Sequence, residues 1–534
     1  MITDEELAER MEAISRNFSS IILYASTQQD KIQTKTLDKI TMIIRNATKE
    51  QLQSRHPRIL VTCLLRLLLY YENVFQTNGF CDLWKRRRKF RIARDCYHAL
   101  LKSYLPERSS DVVETIVEAI YQERLWKFET FCFEIMYSLL DINPVIAGLI
   151  VHSIWNKLTL PEIGVEDSRG IIRILYELLD VFVWPETQDT VATIEKMLGL
   201  FRASIIARLM TTSLLDSSSS LAPSPPPLPS PSPSTLASLK KGLEVCLRNT
   251  MKHISNDQLL VVVQHMCSWT VTAGTTDEFV LEFASLLEFA AFIHQANLYE
   301  QTLTPTIFPL LMRMVGSSSQ IISLLGNRVL QWLIDRHDNR AIFDTPKIFF
   351  EHTYFGLRIT QCRKEDRLFF KLHRELLHDS LLKSLTSHSN SRMNIEVTYC
   401  TICLIAIEVP CGFTAAALAC LAMNVQEIIL QQQDNRVEEA CHIHATIISI
   451  MSFICWIHKA KIFYSYTNRI VMERAQWAPH LNPPIQSQYN FALHHVLWNK
   501  PELFFVDWEV RYGLWKCFRL TDIHNSSLIV GHIE

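Results

Sequence analysis

Glycine is scarce in this chain, 13 residues of 534, where an average protein carries roughly 7%. Turn-dense β architectures lean on glycine for positive φ, so its scarcity points to long helices joined by few tight turns. Sustained period-2 alternation is also missing, and essentially no sheet is expected. Neither sign of charge dominates: 53 Lys and Arg against 55 Asp and Glu leave a formal charge of −2. No global field gathers nucleic acid or anionic lipid, and any such partner must be met by a local patch. The sequence has no Gly-x-Ser-x-Gly elbow, no glycine-rich phosphate loop and no His-Glu-x-x-His pair. The common hydrolase, nucleotide-binding and metalloprotease chemistries are thereby disfavoured, so neither an enzyme nor a cofactor is expected. The start, Met1-Ile2-Thr3-Asp4-Glu5-Glu6-Leu7, is acidic where a signal peptide is basic and then apolar, so no export is expected.

What the chain does have is apolar residues, 48% of the total, recurring at helical spacing almost everywhere. Leu7, Met11, Ile14, Phe18 and Ile21 form one stripe; Val112, Val113, Ile116, Val117 and Ile120 form another. Each stripe needs a neighbour to cover it. Breakers such as Pro106-Glu107-Arg108-Ser109, Asn143-Pro144, Trp184-Pro185 and Gly274-Thr275-Thr276-Asp277 divide the pattern, and Asp111, Asn256 and Asp277 are expected as helix caps. The fold class that follows is all-α, an armadillo/HEAT-like α-solenoid of stacked helix hairpins whose repeat survives as pattern rather than identity. Apolar runs at 400–423 and 445–457 read as buried helices: Glu408 and Pro410 interrupt the first, and the second falls short of the ~20 residues a bilayer needs. The 14 cysteines, among them Cys63, Cys132, Cys267 and Cys455, fall mostly in these apolar patterns and read as reduced thiols of a cytosolic compartment.

One stretch is different in kind. Residues 217–234 read SSSSLAPSPPPLPSPSPS, whose prolines lack donors and whose serines offer no apolar burial to offset ordering. The expected organisation is an N-terminal helical block at 1–213, a flexible linker at 214–235, a second helical block at 236–520 and a tail at 521–534. Pro223-x-x-Pro226 and Pro226-x-x-Pro229 fit an SH3-type ligand, but no basic residue flanks them, and a plain spacer is the better reading.

Four features invite chemistry. Lys85, Arg86, Arg87, Arg88, Lys89, Arg91 and Arg94 open a helix and form a candidate contact for an anionic membrane, against the plainer reading of a solvated helix start. Cys400-x-x-Cys403 with Cys411, Cys441, His442 and His444 has zinc-type ligands, but its pair lies in a continuous apolar stretch without a glycine knuckle, so buried thiols are favoured. Asp335, Arg336, His337, Asp338, Asn339 and Arg340 resemble an acid–base cluster, yet they end the run 324–334 and read as a polar turn between helices. The aromatic stretch from Phe504 and Phe505 to Trp515 reads as the closing cap of the array more readily than as a partner patch.

The stretch Leu330-Gln331-Trp332-Leu333-Ile334 followed by Asp335–Arg340 resembles the rolling-blackout, or eighty-five-requiring-three, family. Cys362-Arg363-Lys364-Glu365-Asp366 with Phe369, Tyr399 through Glu408, His444–Met451, and Met472-Glu473-Arg474 with Ala478-Pro479 match further family blocks in order, as does Phe131–Ser138 upstream. The resemblance covers roughly residues 30–515. It implies a peripheral scaffold on the cytosolic face of the plasma membrane. Such a scaffold recruits the type III alpha phosphatidylinositol 4-kinase with tetratricopeptide-repeat and hyccin-type subunits, so that phosphatidylinositol 4-phosphate is made there. The residues 335–340 are then structural motif residues. Two departures are expected from it: the family's acylated N-terminal cysteines are not in this chain, whose first cysteine is Cys63, and its long C-terminal tail is not represented before Glu534. A cytoplasmic location follows if no other anchor acts. A soluble adaptor with unrelated cargo is the competing expectation; a lipase-like hydrolase is disfavoured by the missing serine elbow.

Overall fold

Helix starts in this chain are set by hydroxyl caps. Thr48 and Ser255 each accept the backbone N–H three residues on, from Gln51 at 3.3 Å and Gln258 at 3.4 Å, and each glutamine Oε1 accepts from the cap amide at 3.1 Å. These reciprocal boxes satisfy two orphan donors at once. The cap positions differ by one residue from those expected at Asn256 and Asp277. Ser255 and Thr276 do the capping, which leaves Asp277 in the first turn, where its negative charge is stabilised by the helix dipole. Asn256 instead exchanges two 3.1 Å bonds with the backbone of Gln295, pinning the start of one helix to the end of the next.

The computed structural model describes residues 3–18, 27–77, 83–182, 184–216, 231–431, 437–486, 489 and 500–505. Among them the chain forms helices and no strand, an all-α armadillo-like architecture. It divides into two compact units, Met1–Ile254 and Ser255–Glu534. The boundary falls after the helix Pro233–His253, which the sequence pattern places in the second block. That helix belongs to the first unit because it packs along Val165–Val181 and Gln188–Asp216. Most of the Ser/Pro-rich stretch and all residues after Phe505 lie outside the described residues.

In the first unit, Arg58–Thr77 packs on Leu83–Gln122, which in turn meets Glu129–Ile142 and Ala147–Leu158. The expected break near Pro106 is present: Leu83–Gln122 is two helical stretches meeting at a kink, where Arg108 leaves helical geometry at φ −129°, ψ 39°. The Arg108 side chain secures this kink, donating to the Gln53 carbonyl at 2.6 Å and pairing with Asp111 at 3.0 Å. Asp111 thus clamps the junction through its carboxylate.

The second unit repeats one motif: Asn256–Thr270 on Asp277–Ile293, that helix on Gln320–Ile334, that on Arg392–Glu408, that on Val437–His458 and that on Lys461–Trp477. The apolar run at 445–457 belongs to a longer helix than its composition suggests, the 22 residues of Val437–His458, and Gly412–Gln431 has 20. Both are long and apolar enough to cross a bilayer by length and composition, but 78% of the apolar window of the former is packed inside the unit. Two of its buried hydroxyls have matched protein partners: Ser449 Oγ accepts from the Lys347 amide at 2.9 Å and donates to the Lys347 carbonyl at 2.6 Å, and Ser452 Oγ accepts from Phe349 N–H at 3.1 Å. They read as core helices.

At its C-terminal end this unit is closed by a buried cation. Arg474, fully buried, donates to the carbonyls of Leu503 (2.7 Å), Leu481 (2.8 Å) and His444 (3.0 Å), and burial pulls its guanidinium down to about 9. Leu503 and Phe504 join Cys441, Ala478, Leu481 and Tyr489 in one apolar cluster, and Phe505 is buried as well. The described part of the aromatic stretch thus acts as a cap; Val506 to Trp515 lie outside the described residues.

Two glycines give opposite expectations. A Cβ on Gly326 would lie 2.6 Å from Met314 Cβ and 2.8 Å from the Val315 amide nitrogen, whereas one on Gly199 meets nothing within 4 Å. Gly326→Ala is expected to lower stability by about 1–3 kcal/mol. Gly199→Ala, in an exposed helix interior, should raise it by about 0.4–1 kcal/mol. Urea titration of both variants checks the signs.

Acid should also loosen the second unit. Burial, then the nearby Arg474 charge, holds His444 well below the usual histidine value, and burial lowers His294 and His442. Unfolded imidazoles take up protons near pH 6.5 while the folded ones resist, so stability is full above that pH and falls as pH drops through the depressed folded values. The loss reaches about 1.4 kcal/mol per pH unit for each group. Urea midpoints at pH 7 and pH 5 measure the drop, and His444→Leu should make it smaller; an unchanged drop contradicts the assignment.

Candidate functional site

The seven basic residues of the 85–94 cluster sit in the first three turns of Leu83–Gln122, which has no acidic residue in its first turn. Lys85 and Arg86 lie in that first turn, where a cation is disfavoured by the helix dipole by about 0.3–1 kcal/mol each. The residues divide by face. Arg87, Arg91 and Arg94 follow i, i+4, i+7 spacing and are exposed with Arg88, while Ala93, Cys96, Tyr97 and Leu100 on the other side are buried. Among the described residues none of these four arginines has an ion-pair partner. Lys89 turns aside, half-buried, and its Nζ donates to Thr34 Oγ1 at 2.8 Å. The side chains of Lys85 and Arg86 lie outside the described residues. An exposed arginine face of this kind suits a polyanion or an anionic surface.

The 335–340 motif is consumed by the architecture. Asp335 caps the C-terminal end of Gln320–Ile334, and its carboxylate accepts the amides of His337 (3.2 Å), Asn339 (3.0 Å) and Arg340 (2.8 Å). This folds the next five residues into a tight turn that puts Asp338 in the left-handed region, φ 56°. The turn aims its side chains in three directions. Arg340 stacks 3.5 Å from the Trp332 ring centroid. Asn339 pairs with the backbone of Arg358, accepting at 2.9 Å and donating at 2.8 Å. Arg336 reaches Asp366 at 2.8 Å, lies 3.8 Å over the Tyr299 ring and donates to the Asn297 carbonyl.

Glu408 is the centre of this arrangement. It is 1% exposed, at the end of Arg392–Glu408. Its Oε1 faces the Arg336 amide and His337 Nδ1, both at 3.3 Å; its Oε2 accepts from Thr360 Oγ1 at 2.7 Å and Tyr299 Oη at 3.3 Å. The Tyr299 proton is shared with the Ile334 carbonyl at 3.0 Å, and His337 Nδ1 also lies 3.0 Å from Thr360 Oγ1, so the carboxylate is enclosed by groups that bind one another and it, with little capacity left for a substrate. Burial, reinforced by the Glu408 charge, raises the Tyr299 hydroxyl well above the usual phenol value, keeping it a donor. For Arg336, burial is the largest effect and opposes the charge, but its hydrogen bond to Asp366 together with the Tyr299, Asp366 and Glu408 charges gives a net shift upward. The cluster's groups are spent on one another, the chemistry of a bracket.

Sequence reasoning found the motif but missed its partners Glu408, Asp366, Tyr299 and Thr360. One signal was available: a lone carboxylate ending the apolar run Cys400–Ile407 must be paired if that run is buried. The cysteines named with it go elsewhere. Cys400 donates to the Arg340 carbonyl at 3.8 Å, Cys403 lies beside Tyr399, and Cys441 sits in the C-terminal apolar cluster. No grouping of three metal-type ligands occurs among the described residues.

Removing the bracket has a definite cost. Glu408→Ala takes away the acceptor shared by four groups, Arg336 among them through its amide, and should cost about 3–5 kcal/mol. Asp338→Gly, at a position whose φ favours glycine, should be close to neutral. Chemical denaturation of both variants compares them directly.

Comparison with known proteins bears on the whole chain. A family model described as EFR3, armadillo repeat, matches residues 25–494. Protein EFR3 homolog A of Xenopus laevis is 22% identical over 416 residues, 74% of this chain and 50% of that protein. Protein EFR3 homolog B of Mus musculus is 22% identical over 412 residues, 73% of this chain and 49% of that protein. Protein EFR3 homolog cmp44E of Drosophila melanogaster is 19% identical over 209 residues, 38% of this chain and 25% of that protein. The chain therefore spans about half the length of the two vertebrate relatives. This is the rolling-blackout resemblance read from the motifs, met now across most of an all-helical chain: the protein belongs to the EFR3 armadillo-repeat family.

Proposed function

We propose that this chain is a non-enzymatic scaffold that helps hold a type III alpha phosphatidylinositol 4-kinase complex at the cytosolic face of the plasma membrane. Tetratricopeptide-repeat and hyccin-type subunits are its protein partners in this reading. The observation that carries it is the use to which the chain puts its most chemistry-like cluster. Family membership over residues 25–494 comes with a buried bracket at 335–340 and Glu408 whose two carboxylate oxygens are both engaged. A protein built this way offers surface, and confining kinase and lipid to one surface raises their effective concentration without new chemistry. The arginine face of 87, 88, 91 and 94 is its contact with anionic lipid. At about 1 kcal/mol for each cation near such a surface, four arginines give marginal binding, and stable residence takes a second tether.

Two measurements test this reading. The tagged chain, expressed in cells with the kinase, should co-purify with it and give rim fluorescence together with a plasma-membrane phosphatidylinositol 4-phosphate sensor signal. Uniform cytosolic fluorescence without co-purification favours a soluble adaptor with other cargo. In vitro, Arg87, Arg88, Arg91 and Arg94 changed together to Glu should lower binding to phosphatidylserine-containing vesicles by at least about tenfold, with no change on neutral vesicles. Equal binding by both proteins removes the arginine face from the mechanism.

A further inference from the structure

The short helix Lys364–Leu372 carries apolar side chains on both faces. Its inner face is fully engaged. Asp366 accepts the Tyr299 amide at 3.0 Å and pairs with Arg336, Phe369 meets Phe308 edge-on with ring centroids 5.2 Å apart, and Phe370 meets Tyr299 at 5.5 Å. These contacts fix the helix about its own axis. Leu368 and Leu372, at i, i+4 spacing on the opposite face, are therefore held outward, 65% and 74% exposed. Adjacent leucines kept in water by a helix that cannot roll mark a surface that something covers.

The charges beside the leucines point to what covers them. Lys364 lies one turn before Leu368 on the same face, and Arg367 and Lys371 flank the leucines one turn apart. All three are exposed, and none has an ion-pair partner among the described residues. Glu365, at the far edge beyond Leu372, is the one exposed carboxylate of this helix. Lysine is depleted at the centre of protein–protein interfaces. Lysine and arginine beside leucine suit a bilayer surface, where their stems lie along apolar chains and their heads reach phosphate. We propose that the outer face of Lys364–Leu372 is an interfacial contact with an anionic bilayer: Leu368 and Leu372 enter the boundary of the acyl chains while Lys364, Arg367 and Lys371 meet the lipid headgroups. The helix lies in the surface and does not cross it, because nine residues rise only about 14 Å where the hydrocarbon core is about 30 Å thick. The inference rests on the membrane half of the scaffold reading and deepens it. An arginine face binds by attraction that salt screens, whereas buried leucines add a part that salt does not weaken.

The test sediments the full chain with vesicles of phosphatidylcholine alone and of phosphatidylcholine with phosphatidylserine. Leu368→Asn together with Leu372→Asn should lower binding to the anionic vesicles by at least about tenfold. The same change should leave the urea midpoint where it was and make the remaining binding more sensitive to salt. Independently, Leu368→Trp should add emission, over that of the unaltered chain, that brominated lipid in the anionic vesicles quenches. Unchanged binding by the double variant, no quenching at position 368, or no vesicle binding by the unaltered chain overturns the proposal. So does loss of a co-purifying protein by the double variant while its vesicle binding stays intact, which makes the face a protein contact. The scaffold reading fails separately: a kinase that never co-purifies with a chain whose vesicle binding depends on both leucines sinks that reading and leaves the bilayer contact standing.

Discussion

A single buried carboxylate governs the second unit. Glu408 accepts from a backbone amide, an imidazole, a threonine hydroxyl and a tyrosine hydroxyl. Those donors come from three chain segments: the turn after Gln320–Ile334, the extended stretch at 346–363 and the short helix Tyr299–Thr302. A carboxyl group in that position is tolerable only because both of its oxygens are bonded, and the same requirement fixes where each segment must lie. Arg336 extends the constraint to a fourth element, pairing with Asp366 on Lys364–Leu372. Apolar stacking alone would let neighbouring helices slide by a turn at modest cost; an enclosed polar centre does not.

Arg474 solves the complementary problem at the C-terminal end of that unit. A guanidinium has only donors, and here it meets the carbonyls of Leu481 and Leu503 in short turns and that of His444 in the helix Val437–His458. One buried anion gathers donors and one buried cation gathers acceptors, each joining segments outside its own helix. In both places polar chemistry supplies register, and for that reason charged motifs that resemble active sites in the sequence are structural in the fold.

The first unit also carries charge to its surface. Its arginines at 87, 88, 91 and 94 are exposed and have no ion-pair partner among the described residues. Cations without an internal partner point outward, to something negative. The contrast with Arg336 and Arg474 is instructive, because only the fold tells the bracket from the contact.

The all-helical class was legible from scarce glycine and 3.6-residue periodicity, since both report on the backbone and need no partner. So were the turn at 335–340 and the burial of Cys400 and Cys403, because continuous apolar neighbours leave a residue nowhere else to go. Cap positions slipped by one at Ser255 and Thr276, where two adjacent side chains could each have served and only the helix geometry chose. The breaker at Pro106 marked the kink at Arg108, but the hold of Arg108 on Gln53 and Asp111 shows only in the fold. The partners of Glu408 and the three carbonyls on Arg474 were decided by tertiary structure alone. They lie from 7 to 109 positions away, and a linear pattern reports periodicity along one helix but not which other segment supplies the missing partner.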